Sequence, residues 1–333
     1  MSGVLNVIEA GPGVSLQDLG RSGYLGLGLS TGGAADRDAL LQGQALFNQT
    51  EDAMALELAG LGGRFGFSQP TRFALTGAHM SLELNDEPVP ANTTLYARAG
   101  DVLKIGPARQ GMYAYLHVAG GFDGPKVLGG GGFHGIAKLG GRVAAGDQIA
   151  FLSDPNPGSS PQKLSPEQTG SAPIRIMEGP QTALFSDETK SRFQQTEFKR
   201  GHRGNRQGVA LEQDEAGFAT EGQLTLVSDF IAVGDIQMTG DGQPYVLLAD
   251  CQTMGGYPRI GTVLPSDLSR IAQSTPGETF TFHFVDASEA EADWSSPEER
   301  RKHFASKMTP AMRDPREMAD LLSYNLISRP IED

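Results

Sequence analysis

One segment of the chain reads Leu247-Leu248-Ala249-Asp250-Cys251-Gln252-Thr253-Met254-Gly255-Gly256-Tyr257-Pro258-Arg259-Ile260-Gly261-Thr262-Val263, a polar loop between two apolar runs. The apolar runs have the length and composition of buried β-strands. Adjacent glycines and a proline in the loop allow the backbone to approach a ligand closely. The segment therefore predicts a binding loop carried by two strands, with a polar hairpin turn as the alternative.

The rest of the chain has the composition of a mainly β protein. Its 333 residues include 44 glycines and 20 prolines, scattered between short runs of Val, Ile, Leu, Phe and Tyr. That texture is typical of β barrels and sandwiches, and the length suits two domains. Among the short strands we expect are two separate ones at Arg72–Leu75 and Ser81–Leu84.

Charge and cysteine content exclude several classes of function. The net charge of −13 repels phosphate backbones and anionic lipids, so we expect neither a nucleic acid nor a membrane as a partner. The amino terminus lacks a signal-peptide pattern and no apolar run reaches about 18 residues, which predicts a cytoplasmic protein. Cys251 is the only cysteine, and the six histidines share no ligand spacing, so no disulfide and no metal site is expected.

Composition and internal repeats divide the chain into four parts. Residues 153–172 are rich in Pro, Ser, Gly and Gln, which predicts a linker between a lobe at 1–152 and a lobe at 173–286. After the linker, Ile174-Arg175-Ile176-Met177-Glu178-Gly179-Pro180 echoes Leu5-Asn6-Val7-Ile8-Glu9-Ala10-Gly11-Pro12. A repeated unit predicts a repeated fold, hence two related β-barrel lobes followed by a tail at 287–333.

A few short helices are expected within and after the lobes. Asp36 is placed to cap a helix that runs to about Phe47, and Ser266 to cap one from Asp267 to Gln273. In the tail, Ser296-Pro297-Glu298-Glu299 is a capping box, and Asp314-Pro315-Arg316-Glu317 repeats it. We expect the tail helices to pack on the second lobe, because short helices need tertiary burial; binding to a partner is the alternative.

Several motifs together resemble the biotin-dependent carboxyltransferase family. The opening segment is similar to its signature ADRQTTGGYP.IATV. Residues 15–24, SLQDLGRSGY, are similar to TVQDLGR.GY; residues 205–212 to (S/D)NRMG.RL.G; and residues 236–244 to IQ.P.DGQP. The family includes the C-type subunit of 5-oxoprolinase, allophanate hydrolase subunit 2-type proteins and the carboxyltransferase part of urea carboxylase. The resemblance covers about Val7 to Val285 and implies that the two lobes are cyclophilin-like.

The sequence departs from the family pattern at three places besides smaller differences at Ser15, at Leu16 and within residues 205–212. Gly129-Gly130-Gly131-Gly132-Phe133-His134 stands where the family has Gly-Ser-Arg-(Ser/Ala)-Thr. In the segment Gly28–Asp36, two prolines and a serine of the pattern GVPPSGA.D are replaced. Cys251 stands where the signature has arginine. Because a nucleophilic cysteine needs a base or a positive field and Asp250 adjoins it, we interpret Cys251 as the loss of a cation.

Polar residues within these motifs are the candidate site. Carboxyl transfer from carboxybiotin needs donors for an oxyanion, a base for the acceptor nitrogen and exclusion of water. The resemblance implies catalytic roles for Asp18, Arg21, Asp250 and Gln252. It implies substrate contacts from Gln17, Asn205, Arg206, Thr253, Gly255, Gly256 and Tyr257. Structural roles explain these charged residues equally well. Arg21 and Arg206 could form ion pairs, and Asp18 and Asp250 could cap turns.

The resemblance implies a subunit of a heteromeric enzyme. The expected activity is that of a 5-oxoprolinase, which opens the pyroglutamate ring with ATP, or of a biotin-dependent carboxyltransferase. This chain would supply half of a composite site beside a B-type subunit, in some assemblies with an A-type subunit. No covalently bound cofactor is expected, because the Met-Lys-Met context of a biotinylated lysine is absent; ATP or carboxybiotin would come through partner subunits. The alternative is a non-catalytic regulatory protein of the same fold that pairs with a B-type subunit.

Overall fold

The computed structural model describes residues 2–50, 52–165, 170–218, 220 and 226–312. Within these ranges the chain forms two curled, nearly closed β-sheets, which we call the first and second lobes, with a few short helices. This confirms the mainly β class with two lobes. In the same ranges no helix is both long and apolar enough to cross a membrane.

The first lobe is an antiparallel sheet. Its strands are β1 (Gly3–Ala10), β2 (Ser15–Gln17), β3 (Ala55–Ala59), β4 (Gly63–Phe67), β5 (Thr71–Leu84), β6 (Glu87–Val89), β7 (Leu95–Ala97), β8 (Val102–Val118) and β9 (Gln148–Phe151). The path across the sheet is β2-β3-β8-β4-β1-β9, and β5 pairs with β6, β7 and β8. The core of this lobe contains the fully buried rings of Phe65, Phe67 and Phe73.

Strand β5 corrects the expectation of two separate strands at Arg72–Leu75 and Ser81–Leu84. It is one strand of 14 residues whose register against β8 shifts between Gly77 and Leu82. Gly77 has a φ of 87°, a conformation that favours glycine and bends the strand without ending it. The bulges interrupt the alternation of apolar and polar residues, which is why the sequence pattern indicates a break.

The second lobe is built around β11 (Ile174–Met177). Its other strands are β12 (Phe198–Asn205), β13 (Gly208–Glu212), β15 (Asp235–Met238), β16 (Pro244–Leu247), β18 (Arg259–Val263), β19 (Thr279–Phe280) and β20 (Phe282–Val285). They lie in the order β19-β12-β13-β16-β15-β18-β11-β20. Phe193 is at the centre of the core, with its ring 4.8 Å from that of Phe198 and 5.1 Å from that of Phe282.

The two segments of the internal repeat, β1 and β11, occupy similar positions in their sheets. β1 lies beside β9, the last strand of its lobe, and β11 lies beside β20, the last strand of the second lobe. The closing strand is antiparallel in the first lobe and parallel in the second. In both lobes the first strand therefore pairs with the last one, but the last strand runs in a different direction relative to the first.

Helix α1 (Arg37–Leu46) confirms the expected helix after Asp36. The Asp36 side chain accepts a hydrogen bond of 3.0 Å from the Ala39 amide, and Asn48 ends the helix with a φ of 51°. The helix approaches β8 so closely that a Cβ at Gly43 would lie 2.0 Å from His117 Nε2. Gly43 is therefore required for the packing of α1 on the first lobe.

The other helices in the described ranges are α2 (Asp187–Gln195), α3 (Pro265–Gln273), α4 (Ala287–Asp293) and α5 (Pro297–Ser306), with 3-10 turns at Leu25–Leu27 and Thr182–Leu184. The expectation for α3 is wrong at its start: the helix begins at Pro265, and Leu264 is its N-cap without a side-chain cap. Ser266 Oγ instead bonds to Asp293 and to Arg175.

The tail packs differently from our expectation. The capping box at Ser296 is present, but α5 lies against α1 of the first lobe, where Phe304 is buried and Arg300 pairs with Asp38. The second expected capping box, at 314–317, lies outside the described residues.

Short strand pairs link β10 (Gln162–Lys163) to β21 (Thr309–Pro310), and β14 (Asp229–Phe230) to β17 (Met254–Gly255). The four-part division of the chain remains a prediction.

Candidate functional site

The polar loop between β16 and β18 lies where the two lobes meet. β16 and β18 both pair with β15, which lies between them, so the segment is not a hairpin turn. The loop contacts the first lobe through the Gly32 amide, which donates to the Ala249 carbonyl at 3.1 Å. The hairpin alternative is therefore wrong, while the binding role of the loop stays a prediction.

Arg206 joins the two lobes at this contact. It extends from the turn between β12 and β13, and its Nε and Nη2 each lie 3.0 Å from an oxygen of Asp250. Its Nη1 lies 2.5 Å from Glu57 Oε1 on β3 of the first lobe. Burial alone would lower the pKa of the guanidinium, but the Glu57 and Asp250 carboxylates raise that pKa well above its ordinary value. Arg206 is therefore permanently charged; it binds Asp250 of its own lobe in a bidentate manner and links the lobes through Glu57.

Glu57 is a residue of this site that the sequence motifs do not contain. Its side chain is fully buried, and Oε2 accepts from the Ala35 amide at 2.9 Å and from the Tyr115 hydroxyl at 2.8 Å. Burial, followed by the charge of Glu57, raises the pKa of Tyr115 well above its ordinary value, so the phenol stays a donor. The signal for Glu57 in the sequence is one acidic residue within the apolar run Ala55–Ala59.

Asp18 and Arg21 bind the glycine segment at 129–132. Asp18 accepts from the Gly20 amide at 2.8 Å and from the Gly131 amide at 2.7 Å. Arg21 is 1% exposed; its Nη2 donates to the Gly130 and Gly132 carbonyls at 3.0 and 2.7 Å, and its Nε to the Val127 carbonyl at 2.9 Å. A Cβ at Gly130 would lie 2.8 Å from Arg21 Cγ, so the glycines leave space for this side chain.

Gln17 and His134 lie on the same buried side of the site. Gln17 is fully buried and its Nε2 donates to the Phe133 carbonyl at 3.1 Å. His134 Nε2 lies 2.9 Å from Ser30 Oγ, and the Ala137 amide donates to His134 Nδ1 at 3.2 Å. Ser30 and His134 both stand at positions where the sequence departs from the family pattern, which is the signal that would have found them.

Other candidate residues are open to solvent. Gln252, Asn205 and Tyr257 are exposed, and Thr253 and Gly256 are partly buried. Asn205 Oδ1 accepts from the Gln207 amide at 2.7 Å and so shapes the turn that carries Arg206. Gly255 is buried, and a Cβ there would lie 2.7 Å from Gln237 Nε2. The candidate residues thus include a buried set between the lobes and an exposed set formed by Gln252 and Tyr257 on the loop and Asn205 at the end of β12; their roles remain predictions.

Cys251 is buried at the wall of a cleft between the lobes. Burial, then the charges of Asp235 and Asp250, raise the pKa of its thiol to about 12. At neutral pH the side chain is therefore a thiol, which agrees with the interpretation that Cys251 is not a nucleophile.

The two arginines of the site differ in how fully their guanidinium groups are used. Arg206 is paired with carboxylates of the protein, so a phosphate or carboxylate would have to displace those contacts to reach it. Arg21 donates through Nε and Nη2 to main-chain carbonyls, while its buried Nη1 has no hydrogen-bond partner among the described residues. The exposed Gln252 and Tyr257 remain accessible to a group presented by another chain. In the described ranges, no three His, Cys, Asp or Glu side chains converge as metal ligands.

Comparison with known proteins identifies the family. The family model "Carboxyltransferase domain, subdomain A and B" matches residues 27–284. The chain belongs to the carboxyltransferase-domain family. This confirms the resemblance seen in the motifs.

Relatives of this carboxyltransferase-family chain differ in how much of their length it covers. The chain is 33% identical to the C-type subunit of 5-oxoprolinase from Haemophilus influenzae, over 86% of this chain and 93% of the relative. It is 32% identical to the same subunit from Escherichia coli, over 87% and 93%. The crystal structure of the Kluyveromyces lactis urea amidolyase matches with a TM-score of 0.80 and 26% identity, over 94% of this chain and 21% of that protein. The chain thus spans nearly the whole length of the two 5-oxoprolinase subunits and about one fifth of the amidolyase.

Proposed function

We propose that this chain is the C-type subunit of a heteromeric 5-oxoprolinase or carboxyltransferase-type enzyme that acts on a small amide or lactam. The observation that carries the proposal is coverage: two proteins named as the C-type subunit of 5-oxoprolinase are matched over 93% of their length. The match to urea amidolyase, in contrast, covers 21% of a much longer chain. A match that spans nearly the whole of a C-type subunit supports the same role for this chain.

The candidate site supports a shared active site between this chain and a partner. Asp250 is fixed between Arg206 and the Gly135 amide, which donates to it at 3.2 Å, while Gln252 two residues later is exposed. The buried Asp250 holds the loop in place, and the exposed Gln252 beside it is free to contact a ligand. This arrangement suits a loop that contacts a ligand held by a partner subunit. In the proposed enzyme, ATP or carboxybiotin is brought by the partner subunits, and Gln252 and Tyr257 contact the reacting group.

The proposal is tested with the complex of this chain and its B-type and A-type partners, co-expressed and purified together. We expect ATP hydrolysis that depends on 5-oxoproline or on another small lactam. Gln252→Ala changes an exposed side chain, so it leaves the fold intact. A donor aimed at developing charge contributes about a hundredfold to kcat, and we expect a loss of that order. Gln195→Ala, an exposed glutamine in α2, is the matched control. Full activity in Gln252→Ala would overturn the role of the loop.

A second candidate function is regulatory pairing without catalysis. It is favoured by the pairing of Arg206 with protein carboxylates and by the neutral thiol at Cys251 in place of a cation. In that case the complex with the B-type partner forms but shows no turnover with any lactam. The same preparation therefore separates the two functions.

A further inference from the structure

The side-chain amide of Gln237 is buried without a hydrogen-bond partner. Gln237 lies on β15 and is 5% exposed, and its Nε2 has no partner among the described residues. A buried donor that stays unpaired destabilises a protein, so each one in a native structure calls for an explanation. Gln237 belongs to the motif at residues 236–244 but is not among the site residues that the resemblance implies. The unpaired donor points to a partner atom from outside this chain.

Gly255 of the polar loop lies directly against this amide. A Cβ at Gly255 would lie 2.7 Å from Gln237 Nε2 and 3.5 Å from Gln252 Nε2, so both side-chain amides approach the same glycine. The φ of Gly255 lies outside the left-handed region, so its backbone conformation does not require glycine. The space beside the two amides is therefore what excludes a side chain here.

The two amides are uncharged donors that differ in exposure. Gln252 is exposed on the loop, whereas Gln237 is fixed in the sheet of the second lobe. Arg259, opposite Gln237 on β18, is paired with Asp229 and Asp235. A primary amide donates to a carbonyl oxygen, and donates more strongly to an oxygen that gains negative charge during a reaction. The pair suits one carbonyl oxygen and places no restriction on a carboxylate elsewhere in the ligand.

We propose that Gln237 and Gln252 both donate to the reacting carbonyl oxygen of the ligand, beside Gly255. The inference rests on the proposed function, in which the polar loop meets the reacting group, and it adds Gln237 as a second donor. Negative charge that develops on the carbonyl oxygen is then stabilised by two converging amides. One of them is held by the sheet and the other by the loop.

Movement of the loop gives the oxygen access to Gln237. Its Nε2 is covered by neighbouring atoms, so the oxygen reaches it when the loop shifts. Strand β17 of the loop pairs with β14 over two residues, and so short a pairing opens readily. Asp250, which contacts Arg206 and the Gly135 amide, is the fixed end of the moving segment.

Gln237→Met separates this role from a structural one. Methionine is unbranched and of similar length, and it removes an unpaired polar group from a buried position. We expect the urea midpoint of this variant to stay equal or to rise, because no internal hydrogen bond is lost. Gln49→Met is the matched control. Gln49 Nε2 donates to the Val118 and Ala119 carbonyls, so this variant should have a lower midpoint and unchanged activity.

The functional measurements use the co-purified complex with its B-type and A-type partners. We expect Gln237→Met to lower kcat about a hundredfold, as for Gln252→Ala. Calorimetry with 5-oxoproline should show binding to the same complex weakened about five- to tenfold, as expected for one hydrogen bond.

The two proposals fail in different ways. Normal turnover with Gln237→Met would overturn the inference and leave the proposed function standing. If the complex shows no turnover, weaker binding of 5-oxoproline by Gln237→Met still supports the second donor. Equal binding by the variant, or no binding of 5-oxoproline by the unmodified complex, would overturn it. A clearly lower urea midpoint in Gln237→Met would also overturn it, because the amide would then have a structural partner such as a buried water.

Discussion

Arg206 in the second lobe and Glu57 in the first form a buried ion pair, with Nη1 2.5 Å from Oε1. The carboxylate is fully buried and the arginine side chain is 14% exposed. Arg206 is also paired with Asp250, so one guanidinium neutralises a carboxylate from each lobe. Together with the contacts of the Gly32 amide with Ala249 and of the Gly135 amide with Asp250, this side chain holds the polar loop against the first lobe.

Removing one partner of this pair should destabilise the protein strongly. Glu57→Gln keeps the shape of the side chain but removes the charge, leaving Arg206 with one carboxylate. Breaking a buried pair typically costs about 3–5 kcal/mol, and we expect the free energy of unfolding to fall by about that amount. Urea denaturation measures it. The control is Glu9→Gln in the exposed pair with Arg64, which should change stability little; equal effects in the two variants would contradict the prediction.

The sequence predicts the fold class, which the structure confirms, but it does not reveal the contacts between the lobes at the candidate site. Apolar runs of strand length and turn glycines reflect local chemistry. The strands of the two lobes and helix α1 can therefore be predicted from the sequence alone. Glu57 and Arg206 are far apart in the chain, and only the folded contact between the lobes brings them together. Asp18 and Arg21 belong to a motif in the sequence, but their contacts with the glycine segment depend on the space between elements, which no local pattern encodes.

The glycine segment should tolerate no side chain where it packs against the first lobe. A Cβ at Gly131 would lie 2.4 Å from Met54 Sδ, whereas a Cβ at Gly141 would meet nothing within 4 Å. We expect Gly131→Ala to lower the free energy of unfolding by about 1–3 kcal/mol through overpacking. Gly141→Ala is the matched control and should be neutral or slightly stabilising. Thermal and urea unfolding decide, and a neutral Gly131→Ala would show that Met54 moves aside freely.

The tail should depend on one aromatic side chain for its attachment to the first lobe. Phe304 is 1% exposed between α5 and α1, whereas Trp294, just before α5, is 64% exposed. We expect Phe304→Ala to cost about 3–5 kcal/mol if α5 unfolds with the rest of the chain. If α5 detaches alone, hydrogen exchange should accelerate in α5 while the sheets stay protected. Trp294→Ala is the control; an unchanged Phe304→Ala would contradict the observed packing.

Asp36 should make the protein less stable as pH rises from about 4 to 6. Burial, then the charge of Asp38, raise the pKa of Asp36 from 3.8 to about 6. The folded state therefore binds a proton that the unfolded chain releases, so this stabilisation is complete below pH 3.8 and is lost as pH rises through about 6. The difference corresponds to about 3 kcal/mol. Asp36→Asn and Asp36→Ser both keep a side-chain oxygen that can cap α1 without titrating. As pH rises through this range, the free energy of unfolding of each variant should increase relative to that of the unmodified chain. Urea unfolding at a series of pH values measures the gain, and parallel stability curves would show that Asp36 titrates alike in the folded and unfolded chains.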